Sequence, residues 1–142
     1  MEFTEPTDAD ITRIARHVLA VCGLARTLGL PDLAGTVEDL ATLQAILDSG
    51  TVASEDTYLL QSLGIAFGRV LVAEVDGLDW AIVHDEYGSD PTLRYRNMPL
   101  CVNVLTAISK RVEDGDAFRM AELFEGFVES LERAIANAGG SA

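Results

Sequence analysis

Basic residues are scarce in this sequence of 142 residues. One lysine and nine arginines stand against 23 acidic residues, and the formal net charge is −13. Proteins that bind DNA or RNA need an excess of Lys and Arg for phosphate contacts, so the composition argues against a nucleic-acid partner. An anionic membrane surface is disfavoured for the same reason. The acidic balance favours solubility and permits a basic protein as partner.

Cysteine and histidine are also rare. Cys22 and Cys101 lie far apart, so no Cys-x-x-Cys pair exists, and neither His17 nor His84 has a second His or Cys at metal-ligand spacing. The sequence has no calcium-loop pattern, phosphate-binding loop, dinucleotide fingerprint or nucleophile elbow. We therefore expect two free thiols, no metal and no cofactor.

Long apolar runs are missing. The most apolar stretch, residues 59–75, is interrupted by Gln61, Arg69 and Glu74, which favours a buried core helix over a membrane span. The acidic N-terminus lacks the apolar run of a signal peptide, so we expect a cytoplasmic protein. The length and the 49% hydrophobic content suit a single domain over residues 1–142. Residues 1–6 and 138–142 are expected to fray.

Apolar residues recur at helical spacing in five segments, each with an N-cap or C-cap signal nearby. The third segment is apolar nearly all round, which is typical of a central helix packed from several sides. The segments are a first helix from a Thr7 cap to Gly29, a second over residues 36–48, a third from a Ser54 cap to Asp76, a fourth over residues 104–114 after an Asn103 cap, and a last one from an Asp116 cap.

One stretch between the third and fourth helices has β character. Residues 80–83 are aromatic, small or β-branched, residues 86–91 are turn-rich, and residues 92–96 alternate as a returning strand. A short third strand is predicted within residues 98–102. The pattern predicts an α+β fold, mostly helical with about five helices, in which a small two- or three-stranded antiparallel sheet packs on the central helix.

Gly64 and Gly68 lie four residues apart on one face of the third helix. Each costs roughly 1 kcal/mol relative to Ala in a helix interior. We expect them to form a groove that another backbone approaches closely, with Trp80 packed against it. The alternatives are that the glycines reflect genome composition alone and that Trp80 is an exposed binding residue.

The best candidates for chemistry lie at the end of the ribbon and in two basic segments. Neighbouring carboxylates raise one another's pKa, which suits acid or base catalysis, and an Arg can hold a substrate carboxylate or phosphate. In the structural alternative, Asp85 stabilises a turn, Tyr87 packs and Arg94 pairs with a carboxylate. The candidate ligand or partner site comprises Asp85, Glu86, Tyr87, Arg94, Lys110 and Arg111, with His84 and Arg96 nearby.

The last helix carries an acidic stripe opposite its apolar face. Its four glutamates are spaced by three, four and three residues, so they share one side of the helix. The stripe is either a solvated face or a docking face for a basic partner. It consists of Glu122, Glu125, Glu129 and Glu132.

Several short motifs lie within residues 63–115: Leu63-Gly64-Ile65-Ala66-Phe67-Gly68, Trp80, Asp85-Glu86-Tyr87-Gly88, Arg94 and Ile108-Ser109-Lys110-Arg111-Val112-Glu113. Together they resemble a bacterial family, domain of unknown function 3806. Where family members often have a proline before the Lys-Arg helix, this chain has Cys101-Val102-Asn103-Val104. The resemblance implies a shared fold and carries over no catalytic residue.

Two functional hypotheses follow. The first is a non-catalytic protein-interaction module, of an immunity or regulatory type, that binds a basic protein through the acidic stripe or the edge of the ribbon. The alternative is a small-ligand-binding domain or a hydrolase-like enzyme that uses Asp85 and Glu86 together with Arg94 and Lys110. A homodimer formed through an exposed ribbon edge is a further option.

Overall fold

The computed structural model describes residues 2–139, which form five α-helices and one four-stranded antiparallel sheet. The predicted α+β class and the number of helices are confirmed. The sheet has one strand more than the largest number predicted. In chain order the elements are β1 (Glu2–Thr4), α1 (Asp8–Thr27), α2 (Asp39–Asp48), α3 (Thr57–Glu74), β2 (Leu78–Asp85), β3 (Gly88–Tyr95), β4 (Cys101–Val102), α4 (Ala107–Glu113) and α5 (Met120–Gly139).

The additional strand comes from the N-terminus. The expectation that residues 1–6 fray is wrong for β1, which pairs with β2 so that Phe3 faces Val83. Backbone pairing and the contact of the Phe3 ring with the sheet hold these residues, and so short a strand has no periodicity to reveal it. At the other end, residues 138 and 139, which were also expected to fray, belong to α5. The same prediction for residues 140–142 lies outside the described part of the chain.

The first helix begins as the sequence predicts. The Thr7 hydroxyl accepts the Asp10 N–H at 3.2 Å, and the Asp10 carboxylate accepts the Thr7 N–H at 2.9 Å, forming a capping box. The Thr7 N–H and, at 3.0 Å, the Thr7 hydroxyl both donate to the Asp10 carboxylate, and these two hydrogen bonds lower the pKa of Asp10. Leu28 and Gly29, the latter at φ +70°, end the helix.

The starts of the next two helices differ from prediction. Helix α3 is capped by Asp56, whose Oδ1 accepts the Leu59 N–H at 3.2 Å, and not by Ser54. Helix α2 begins at Asp39 instead of Thr36. The buried Asp39 carboxylate accepts the N–H groups of Ala34 and Gly35, both at 2.8 Å, and so fixes the turn that leads into the helix.

The last two helices also begin later than predicted. Helix α4 begins after Thr106, because the preceding residues pass over the face of α3 in a non-helical conformation. Helix α5 begins at Met120, whose N–H donates to Gln44 Oε1 at 2.7 Å, and not after an Asp116 cap. This hydrogen bond ties the start of α5 to α2.

Helix α3 is the centre of the molecule and packs against α1, α2, α4 and the sheet. The carbonyl oxygen of Val104 lies directly over Gly64, leaving no room for a side chain. At Gly68, an added Cβ would lie 2.9 Å from both Trp80 Cη2 and Val104 Cγ2. The predicted close backbone approach and the packing of Trp80 on this face are therefore confirmed, although Trp80 is only partly buried.

Strands β2 and β3 form a hairpin in which Asp85 faces Gly88 and Asp79 faces Arg94. The turn comprises only Glu86 and Tyr87, so the predicted turn over residues 86–91 is too long. Gly88, at φ +127°, adopts a conformation that L side chains rarely reach, and pairing resumes there. No helix in residues 2–139 is long and apolar enough to cross a membrane.

Candidate functional site

Three of the predicted site residues form the tip of the hairpin. The Asp85 Oδ1 atom accepts the Tyr87 N–H at 2.8 Å, which stabilises the turn. Asp85 and Glu86 are exposed, and the Tyr87 side chain is 88% exposed, so the expectation that Tyr87 packs is wrong. The tip is a solvated corner, as the structural alternative proposed for Asp85.

His84, next to the tip, bridges three strands. Its Nε2 lies 2.7 Å from Thr4 Oγ1 on β1, and its Nδ1 lies 2.6 Å from Ser89 Oγ on β3. Both ring nitrogens are thus engaged by hydroxyl groups of neighbouring strands. This imidazole joins β1 to the hairpin.

Arg94 lies at the opposite end of β3 from the tip. Six residues separate it from Gly88, which corresponds to about 20 Å along a strand. Its Nε and Nη2 donate to the carbonyl oxygens of Met98 at 2.8 Å and Asn97 at 2.9 Å. The ion pairs within residues 2–139 are Arg13–Asp90 and Arg26–Asp32, so the expectation that Arg94 pairs with a carboxylate is wrong.

Lys110 and Arg111 lie in the last turn of α4. Lys110 is exposed, whereas Arg111 Nη1 donates to the Ala107 carbonyl oxygen at 2.8 Å and its guanidinium lies 5.8 Å from the centre of the Phe127 ring. Arg111 therefore joins α4 to α5. The structure does not bring the six predicted residues into one site.

One of these six residues, Arg94, lines a groove of about 480 Å³ on the sheet. We call it the β2 groove. It runs beside the first half of β2, and its lining includes Phe3, Asp79, Arg94 and Arg96. The Arg94 guanidinium lies 4.7 Å from the centre of the Phe3 ring, so β1 and β3 together form the walls of the groove.

The groove exists because β1 is too short to cover β2. Within residues 2–139, strand β1 pairs with residues 82–84 only, so residues 78–81 have no strand partner on that side. The Leu78 N–H there donates to the Val75 carbonyl oxygen at 3.2 Å. Pro6 lacks the N–H that would continue the ladder, and Thr7 must turn away to cap α1. At the open edge the Trp80 N–H donates to Asp79 Oδ1 at 2.8 Å, so a carboxylate covers this donor.

Arg96 forms the far end of the groove in an unusual backbone conformation. Its φ of +51° is positive, a region that residues other than glycine rarely adopt. The Arg96 N–H donates to the Gly77 carbonyl oxygen at 2.8 Å, and the guanidinium lies 5.2 Å from the centre of the Tyr95 ring. The turn before β2 therefore fixes the Arg96 backbone at this end of the groove.

Sequence reasoning missed Phe3 and Asp79 as parts of this groove. The predicted strand over residues 92–96 placed Arg94 and Arg96 on one face; both line the groove, but β3 ends at Tyr95 and Arg96 belongs to the turn that follows. The available signal for Phe3 was one aromatic residue between two polar ones, which is too short for a strand assignment. In the part of the chain that the structure describes, no three His, Cys, Asp or Glu side chains are grouped to hold a metal ion, and both cysteines are free thiols.

The comparisons with known proteins concern the fold. A crystal structure of a protein from Bacteroides thetaiotaomicron VPI-5482, determined at 1.50 Å, is similar with a TM-score of 0.82 and 22% sequence identity. The alignment covers 91% of this chain and 47% of that one, so this chain spans about half of the other's length. No curated protein matches the sequence. The family model described as "Domain of unknown function (DUF3806)" matches residues 39–124, well beyond the motifs seen in the sequence, and the chain therefore belongs to this family.

Proposed function

We propose that this chain is a non-catalytic protein-interaction module that takes an extended segment of a partner protein onto the open edge of β2. The observation that carries the proposal is the mismatch between β2, with eight residues, and β1, which covers only residues 82–84. A partner strand that continues the line of β1 would lie opposite residues 78–81. Backbone hydrogen bonds would supply affinity, and side-chain pockets would supply specificity.

The lining of the β2 groove suits an extended segment. Phe3 offers an aromatic face, and Arg94 is held in place by two carbonyl oxygens, so these walls require little ordering when a partner binds. Asp79 covers the Trp80 N–H until a partner strand replaces it. That carboxylate protects the edge against unspecific pairing, and a strand with a basic side chain compensates its charge.

The charge of the chain supports a basic partner. The net charge is −13, and the acidic stripe formed by Glu122, Glu125, Glu129 and Glu132 is exposed on α5. A field of this sign accelerates association with a basic protein and makes the rate fall with ionic strength. In this proposal the stripe attracts the partner and the β2 groove binds it. An immunity or regulatory role, in which the chain neutralises a basic protein in the cytoplasm, would fit this arrangement.

The alternative function loses its geometric basis. A ligand-binding or hydrolase-like site built from Asp85, Glu86, Arg94 and Lys110 requires these side chains to converge. The hairpin tip and Arg94 are about 20 Å apart by strand geometry, and Lys110 lies on α4.

A random peptide library displayed on phage tests the proposal. We expect the selected peptides to be extended and basic, and to bind more weakly as salt rises. Replacing Arg96 with Asn removes one wall of the groove while keeping a residue that tolerates positive φ, and should weaken binding. The matched control is Arg133→Asn, which removes the same charge from an exposed position on α5.

Two results would argue against this function. One is a library that yields no binders at low salt. The other is a set of binders that Arg96→Asn does not weaken, or that both variants strengthen alike, because loss of a positive charge strengthens binding that depends only on the negative charge of the chain.

A further inference from the structure

A second concave site lies between α1 and α3, away from the sheet groove. It is a cleft of about 260 Å³ lined by Ala9, Arg13, Arg16, His17, Tyr58 and Gln61. We call it the His17 cleft. In a chain with 23 acidic residues, its lining contains two of the nine arginines and no carboxylate.

The imidazole of His17 is buried in the wall of this cleft, with only 2% of the residue exposed. The Ser62 hydroxyl donates to the Tyr58 carbonyl oxygen at 2.8 Å, so it accepts a hydrogen bond from His17 Nδ1, 2.7 Å away. This assigns the proton of the neutral ring to Nδ1 and the lone pair to Nε2. The ring also stacks on Tyr58, with centroids 4.6 Å apart.

The Nε2 atom of His17 has no hydrogen-bond partner within residues 2–139. Every buried side-chain nitrogen or oxygen in that part of the chain does have a partner, so Nε2 is not among the buried atoms. The atom must therefore touch solvent, and the His17 cleft borders this otherwise buried residue. A fixed ring with one free nitrogen that faces a small cleft is a preorganised ligand contact.

The charged groups around the cleft favour an anion. Arg16 is exposed and has no ion pair in the described chain, while Arg13 donates to Asp90 Oδ1 and to the Ser89 carbonyl oxygen, both at 3.2 Å. These contacts fix Arg13 at the rim beside the imidazole. Burial and the positive charge of Arg13 lower the pKa of His17, which favours the neutral form of the ring at pH 7.

We propose that the His17 cleft binds a small oxyanion, either a carboxylate or a phosphate group, between the guanidinium groups of Arg13 and Arg16 and the Nε2 atom of His17. The volume excludes drug-sized molecules, whose sites begin at about 300 Å³. A bound anion stabilises the imidazolium form, so the site takes up a proton with its ligand and binds more tightly as pH falls. This site is independent of the β2 groove.

The test follows the imidazole resonances of His17 by NMR in the full chain, while sodium phosphate or sodium acetate replaces sodium chloride at constant ionic strength. We expect a saturable shift of these resonances and a rise in the pKa of His17 with at least one of the two anions. The anion that produces this effect identifies the ligand class. If neither anion moves the resonances, the proposal is wrong.

Two variants distinguish anion binding in the His17 cleft from a general effect of positive charge on the helix. Arg16→Gln should weaken anion binding about tenfold or more, the loss expected for one charge-assisted hydrogen bond. Arg26→Gln removes the same charge from the same helix about 15 Å away and should leave the affinity within about twofold. Equal effects of the two variants, or no effect of Arg16→Gln, would overturn the assignment.

Discussion

Replacement of Gly64 by Ala tests the close approach at the centre of the fold. A Cβ at this position would overlap the Val104 carbonyl oxygen and lie 3.2 Å from the Leu105 carbonyl oxygen. Both atoms belong to the backbone, so no side-chain rotation relieves the contact. Val104 and Leu105 are 0% and 3% exposed, and the segment cannot move without disturbing the core.

The expected change in the free energy of unfolding for Gly64→Ala is the difference between two contributions. Ala gains about 1 kcal/mol over Gly in a helix interior. Overpacking costs about 1–3 kcal/mol, and a clash with backbone lies at the upper end of that range. The net loss in the free energy of unfolding is therefore about 2 kcal/mol, which lowers the melting temperature by about 8 °C in a domain of this size.

Two other helical glycines provide controls. Gly126 on α5 has nothing within 4 Å of an added Cβ, so Gly126→Ala should gain up to about 1 kcal/mol. Gly68→Ala should fall between the two, because its neighbours are the tips of the Trp80 and Val104 side chains. Urea denaturation followed by circular dichroism measures all three. If Gly64→Ala is as stable as Gly126→Ala, the backbone of residues 104–105 does not lie against α3 as described.

Three further predictions concern single side chains. Asp39→Ala leaves the N–H groups of Ala34 and Gly35 without an acceptor and should cost about 3 kcal/mol in urea denaturation, whereas the exposed Asp76→Ala should change little. The pKa of His17 is lowered in the folded state, so below about pH 6.5 the unfolded chain binds more protons than the folded chain. The free energy of unfolding should therefore decline as the pH falls from about 6.5 towards the folded pKa, and His17→Gln should remove this part of the pH dependence. Asp79→Ala uncovers the Trp80 N–H and should shift sedimentation towards a dimer paired through β2; an unchanged profile would contradict the role of Asp79 at this edge.

The parts of the fold that could be predicted are those with local signals. The capping box at Thr7 and the break at Gly29 lie within a few residues of the helix they define, and the alternation of Leu93 and Tyr95 with Arg94 and Arg96 has the period of a strand. Helix starts at Asp39, Ala107 and Met120 were misplaced for a different reason. At Ala107 and Met120 the chain responds to distant groups, Gly64 on α3 and Gln44 Oε1 on α2. At Asp39 the determinant is a side-chain contact with the preceding turn, which apolar spacing does not reveal.

The six predicted residues do not form one site because residues that are close in sequence need not be close in space. Arg94 is nine residues from Asp85 in sequence, but a hairpin with a two-residue turn places the ends of its strands far from its tip. Conversely, Phe3 and Arg94 are 91 positions apart and touch, because β1 pairs beside β2. Register across three strands cannot be read from one strand's pattern, and the β2 groove depends on that register.

The central claim is that the open edge of β2 binds a partner strand, and amide chemical-shift mapping tests it most directly. The ¹⁵N-labelled chain is titrated with a basic peptide selected from the library. We predict that the largest changes fall on the amides of residues 78–81 and Phe3, and that Arg96→Asn weakens the binding. Changes confined to Glu122, Glu125, Glu129 and Glu132 on α5, with the edge of β2 unaffected, would contradict it.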